Sequence, residues 1–183
     1  MGVRRQGREA ALQALFMCDF IGIWTPESVE FCFDHFGMSK GIRPFATQIA
    51  QGALKNIAQI DSKLTVASEN WSLTRMGRVD RSILRLAAYE MLCQEDIPIN
   101  VAINEAIEIA KRFGSEESPQ FINGVLDRIA SQVRTGRAAK GLVDAASTLA
   151  VEVETIAAAG QEDSDSLVGI DAVHNESKIK ETV

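Results

Sequence analysis

The stretch from Val101 to Ile129, V-A-I-N-E-A-I-E-I-A-K-R-F-G-S-E-E-S-P-Q-F-I-N-G-V-L-D-R-I, leaves the chain little choice of architecture. Ile103, Ala106, Ile107 and Ala110 recur at the spacing that sets apolar side chains on one helical face, while Asn104, Glu105, Glu108, Lys111 and Arg112 fill the other. Gly114 can stop this helix in a left-handed conformation, and Ser118 followed by Pro119 reads as the N-cap and first position of the next. The second helix turns Ile122, Val125, Leu126, Ile129 and Val133 inward. Phe121 lies about 100° round from the centre of that stripe, on a flank it shares with Gly124 and Arg128. An aromatic face, a spot without a side chain and a cation together suit a flat, anionic ligand.

The remaining chain repeats the helical pattern. From Arg4 to Phe16 one face changes from basic to apolar, with Arg4, Arg5 and Arg8 in the same sector as Leu12, Leu15 and Phe16. A core stripe cannot continue into unpaired arginines. The first turns are therefore expected to overhang the body and offer the arginines to an outside ligand, most simply phosphate. A frayed, solvated terminus is the plainer alternative. A second helix is expected from Pro26 to Phe36, with Thr25 as its cap and Val29, Phe33 and Phe36 facing inward. A third runs unbroken from Pro44 to Leu64, with Gly52 marking close packing. The segment E-N-W-S-L-T-R-M-G-R-V-D bridges to a stretch, Val79 to Cys93, that is apolar on almost every side and reads as a central buried helix. Glu90 within it needs a partner that the sequence does not name. No alternating strand pattern is present, so the expected class is all-α.

Three of these motifs in this order, R-R-Q-G-R-E-A-A-L-Q-A-L-F, R-S-I-L-R-L-A-A-Y-E-M-L, and V-A-I-N-E-A-I-E-I-A-K-R-F-G with F-I-N-G-V-L-D, resemble the bacterial NusB family over roughly residues 4 to 134. The resemblance implies two perpendicular three-helix-type bundles. It also implies a non-catalytic factor that binds boxA-type single-stranded RNA together with ribosomal protein NusE, within the antitermination complex of RNA polymerase. On these positions it implies RNA contacts from Arg4, Arg5, Arg8, Gln13, Glu117, Phe121 and Arg128, and partner contacts from Phe16 and Asp80. Asp80 also has a local reason to be there, since an acid in the first turn of a helix meets its positive end. Gly7 and Gln6 depart from the family's basic helix start, Gly7 at about 1 kcal/mol of helix propensity. A homodimer formed through the RNA surface is a further partner the reading admits.

Composition narrows the function further. The net charge of −6 lies entirely outside the helical part: residues 1–138 hold 16 basic and 16 acidic side chains, and residues 139–183 hold 3 and 9. The expected organisation is thus a neutral helical domain, 1–138, and an acidic, Ala- and Ser-rich, largely disordered extension, 139–183. Cys18, Cys32 and Cys93 form no C-x-x-C pair, which supports neither a disulfide framework nor a metal site and fits a reducing, cytoplasmic setting. No apolar run approaches the ~20 residues of a membrane span. There is no phosphate-loop, zinc-protease or dinucleotide motif, so neither cofactor nor metal is expected. His35 is most simply a cation at a helix end, and His174 lies in the extension.

Two other readings compete. Domains like this also occur fused to ribosomal-RNA cytosine methyltransferases, but the 45 residues after 138 are expected to be too few and too polar for a catalytic domain. A purely protein-binding helical adaptor explains the apolar stripes and Asp80 and leaves the arginines and Phe121 without a role. The charge division also yields a prediction. Truncation after Arg137 should leave the melting temperature of the helical body unchanged and tighten RNA binding modestly at low salt. Equal affinities with and without the extension would show it to be passive.

Overall fold

The computed structural model describes residues 2–69 and 71–135; the expected boundary at residue 138 and the acidic extension lie outside the described residues. The chain is all-α, as expected, with no strand among the described residues. Its helices are α1 (Val3–Ile21), α2 (Pro26–His35), α3 (Arg43–Lys55), α4 (Ile57–Ala67), α5 (Arg78–Cys93) and α6 (Ile99–Phe113). A single 3-10 turn, Leu73–Arg75, lies between α4 and α5, and α7 occupies residues 118–135. Helices α1, α2 and α3 pack on one another, and α5 joins them to α4 and α6. Every residue of α5 from Ser82 to Met91 is buried, the burial expected of an element apolar on nearly all sides. Ile122, Val125, Leu126 and Ile129 of α7 complete the same core.

Local chemistry explains most of the helix boundaries. The Thr25 hydroxyl accepts from the Ser28 N–H at 3.3 Å, and Pro26 opens α2. Val29 and Phe33 are buried as expected, but Phe36 is not: it follows the last turn of α2 and is 57% exposed. Gly37, at φ 61°, then turns the chain away. The single long third helix expected from Pro44 to Leu64 is instead two. Asn56 interrupts it, its side-chain amide donating to the Gly52 carbonyl at 2.8 Å and so competing with the helical ladder. Gly52 does mark close packing, because a Cβ there would overlap the Tyr89 ring.

Two further expectations are corrected at the start of α7. Gly114 is extended, at φ −89° and ψ −171°, and not left-handed. Glycine is required there for space, since a Cβ would stand 2.5 Å from that of Ser118. Ser118 does not cap the helix from outside. Its buried hydroxyl accepts from the Ser115 N–H at 2.8 Å, while the Glu117 carbonyl accepts the first helical bond, from Phe121.

The start of α1 departs most from expectation. The first turns do not overhang the body as a unit, because Arg8 is only 3% exposed. Its Nε donates to both carboxylate oxygens of buried Glu90, at 2.9 and 3.1 Å, which supplies the partner Glu90 lacked in the sequence. Burial pushes the Glu90 carboxyl up, and the Arg8 charge opposes that shift. Arg5 makes a two-pronged bond to Glu105 of α6, at 3.0 and 2.7 Å, and holds that carboxyl below its usual range. Gly7 is no mere weakness in the helix, since a Cβ there would stand 2.6 Å from the Phe45 ring.

This arrangement separates the three arginines by their effect on stability. Arg8→Ala leaves a buried carboxylate unpaired and should cost roughly 3–5 kcal/mol in thermal or denaturant unfolding. Arg4→Ala, at an exposed site, should change stability by less than about 0.5 kcal/mol. Equal, small effects from both would show that the Arg8–Glu90 pair is dispensable.

Candidate nucleic-acid interface

Helix α1 is fixed against α6 and α5 by side chains of opposite charge. Arg5 of α1 pairs with Glu105 of α6, and one turn further Arg112 of α6 donates to Glu9 at 2.7 and 2.8 Å. Continuing in the same direction, Gln13 and Phe16 of α1 share a hollow of about 330 Å³ with Val79 and Phe113. Beyond it Phe16, Phe20, Arg78, Asp80 and Phe113 line a shallow cleft of about 480 Å³. The Phe16 and Phe20 rings stack there with centroids 6.4 Å apart. The two residues expected to meet a partner, Phe16 and Asp80, therefore stand on one surface.

Asp80 also borders a second cleft, of about 350 Å³, with Glu117 and Phe121. Phe121 is half-buried, packed against the edge of the core but still forming a wall. Its flank position was legible from the helical angle. Glu117 is exposed one turn before it and accepts from the Ser115 hydroxyl at 3.0 Å. Asp80 Oδ1 is enclosed with no hydrogen-bond partner among the described residues. The adjoining wall of the cleft is Trp71, whose ring meets Phe121 edge to face at 6.3 Å and 67°. Arg75 lies over the indole, 5.7 Å from its centroid, and lines the same cleft. Neither residue was singled out from the sequence, although an aromatic inside a polar, pattern-breaking segment was the available signal.

The other expected residues are distributed less evenly. Arg4 is exposed, lies 5.7 Å from the Phe45 ring and pairs with no carboxylate among the described residues. Arg128 does not reach the cleft. It donates to the Ala67 carbonyl at the end of α4, at 2.8 Å, and stands 3.6 Å from Glu69. Beside it Gly124 leaves open space. The three thiols are free, with Cys18 and Cys32 buried and Cys93 half-buried; burial raises Cys18 to about 11. Among the described residues no acidic, His or Cys cluster could hold a metal, and no helix is long and apolar enough to cross a membrane.

The fold and these surfaces define a small all-helical protein with clefts lined by aromatics and acids. Residues 5–131 match the model of the NusB family. The transcription antitermination protein NusB of Geobacter sulfurreducens is 52% identical over 133 residues, covering 72% of this chain and 96% of its own. The solved structure of T. maritima NusB superposes with a TM-score of 0.64 at 43% identity, over 70% of this chain and 90% of that one. A solved structure of antitermination factors NusB and NusE in complex with dsRNA shares the fold, with a TM-score of 0.65 at 24% identity over 72% and 98% of the two chains. The chain belongs to the NusB family.

Phe121 can be tested directly. As a half-buried ring, Phe121→Ala should cost well under the ~3–5 kcal/mol of a core phenylalanine. RNA affinity should fall by the ~1–3 kcal/mol of one lost stack with the salt slope preserved, and Phe121→Tyr should keep most of it. A strongly destabilised variant whose folded fraction binds RNA normally would return Phe121 to the core.

Proposed function

We propose that this chain is a non-catalytic transcription antitermination factor. It binds single-stranded boxA-type RNA jointly with ribosomal protein NusE and supports transcription of ribosomal RNA by RNA polymerase in the cytoplasm. The observation that carries this reading is the half-buried Phe121 ring, which walls a cleft of about 350 Å³, room enough for a base, beside two carboxylates. Unpaired bases stack on such rings, whereas duplex bases are already stacked on one another. Family membership supports the same reading.

The arginines divide the work. Arg4 is exposed and meets phosphate without breaking an ion pair. Arg5 is about one-third exposed and exchanges Glu105 for phosphate at the cost of that pair. Arg8 acts through Glu90, by holding α1 in place, and not through RNA. Gln13 and Phe16 lie further along α1, Phe16 about 18 Å from Arg4 at 1.5 Å per residue, so the outer face of α1 leads from the basic start to the clefts. Phe16 and Asp80 offer a basic partner an aromatic stack and a carboxylate lining one cleft. A second copy of the chain covering these clefts is the competing occupant in the free protein.

Anisotropy of a labelled single-stranded RNA, with and without NusE, tests the reading. Affinity should rise with NusE. Arg4→Ala should weaken binding and reduce the slope of log affinity against log salt by about 0.7, the value for one phosphate of a single strand. Binding that is absent in both conditions would leave a purely protein-binding adaptor.

A further inference from the structure

We propose that Trp71 and Arg75 complete a nucleotide site with Phe121, in which one unpaired base stacks in the corner that the two touching rings form and the Arg75 guanidinium holds its phosphate. The proposal rests on the RNA-binding reading and names two residues that the family resemblance did not supply.

The first ground is that the indole is held in place yet half uncovered. Trp71 is 50% exposed. Its backbone is fixed on both sides by Ser68, which is itself buried: the Trp71 N–H donates to the Ser68 carbonyl at 2.9 Å, and the Ser68 hydroxyl donates to the Trp71 carbonyl at 2.9 Å. The following turn is equally tied. Arg81 donates to the Leu73 carbonyl at 2.6 Å, its other end is held by Asp19 of α1, and Met76 is buried. A large apolar ring whose own backbone is held by hydrogen bonds and whose face is left open to water has a ready use as a stacking platform.

The second ground is the geometry of the walls. At 67° the Trp71 and Phe121 rings form a corner, so a base stacked on one ring meets the other along its edge. The cleft they border, about 350 Å³, has the volume to take a base. The third ground is the state of Arg75. Its guanidinium contacts the indole and pairs with no carboxylate among the described residues, although Asp80 and Glu117 border the same cleft. A planar cation stacked on an aromatic keeps its N–H groups free for phosphate.

A surface cation–π contact that merely steadies the bend predicts changes in stability and none in binding. The test uses the full chain with Trp24→Phe, so that indole emission reports Trp71, and a 12-nucleotide unstructured RNA containing a boxA-type element, with NusE present. The single strand should change Trp71 emission saturably, and the same RNA annealed to its complement should not. In anisotropy on the native background, Trp71→Ala should weaken binding about tenfold with an unchanged salt slope, and Trp71→Phe should restore most of it. Arg75→Ala should weaken binding a few-fold and lower the slope by about 0.7. Unchanged affinity in Trp71→Ala, with RNA still bound, would overturn the site and leave the RNA reading intact. Equal emission changes for duplex and single strand would overturn the unpaired base. No binding of either RNA to the unsubstituted chain would remove the RNA reading and this site with it. If Trp24→Phe fails to fold, the anisotropy series on the native background decides alone.

Discussion

A buried guanidinium from α1 facing a buried carboxylate from α5 sets the geometry on which the rest of the structure depends. The Arg8–Glu90 pair joins the first helix to the central one where neither charge is stable alone. About 16 Å further along α1, at 1.5 Å per residue, Asp19 receives Arg81 and Arg85 of α5, and Arg85 also grips Asp61 of α4. Burial alone would raise the Asp19 carboxyl, but the two guanidiniums hold it below its ordinary range. Two ionic clamps at separate levels fix both the rotation and the slide of α1 against α5, which apolar contacts alone specify less sharply. The outer residues of α1 thereby acquire fixed positions relative to the start of α5.

That fixed relation matters at the two clefts. Asp80, in the first turn of α5, is shared between the Phe16 surface and the Phe121 surface, so anything that engages one lies beside the other. An RNA strand and a protein partner meeting at a common carboxylate would stabilise each other's binding without a change in fold. The body carries equal numbers of basic and acidic groups, and long-range attraction for RNA is correspondingly small. Affinity has to come from contacts at short range and from the charge that a basic partner adds.

Helix periodicity made most of the fold legible, because α5, α6 and α7 bury faces that repeat at helical spacing. The same angular reasoning put Phe121 on a flank. It failed where one local bond outweighed the repeat, as at Asn56, whose side chain interrupts a stripe that continues on both sides. It failed again at Arg8, because angle along one helix does not reveal a carboxylate 82 positions away. Glu90 had posed the matching question, a buried acid without a partner. The two halves of the answer were both in the sequence, but pairing them required the tertiary arrangement. Trp71 and Arg75 were missed because they lie in a bend, where no periodicity exists to place them.

Photo-crosslinking of a boxA-type single-stranded RNA to the full chain in the presence of NusE, with the modified peptides identified by mass spectrometry, would locate the strand on the protein surface. The RNA is expected along the outer face of α1 and in the corner formed by Trp71 and Phe121. Adducts should therefore concentrate on the peptides carrying Trp71 and Phe121, with weaker ones near Arg4. Adducts confined to the exposed Phe31 and Phe36 side of α2, with none on Trp71 or Phe121, would contradict this placement.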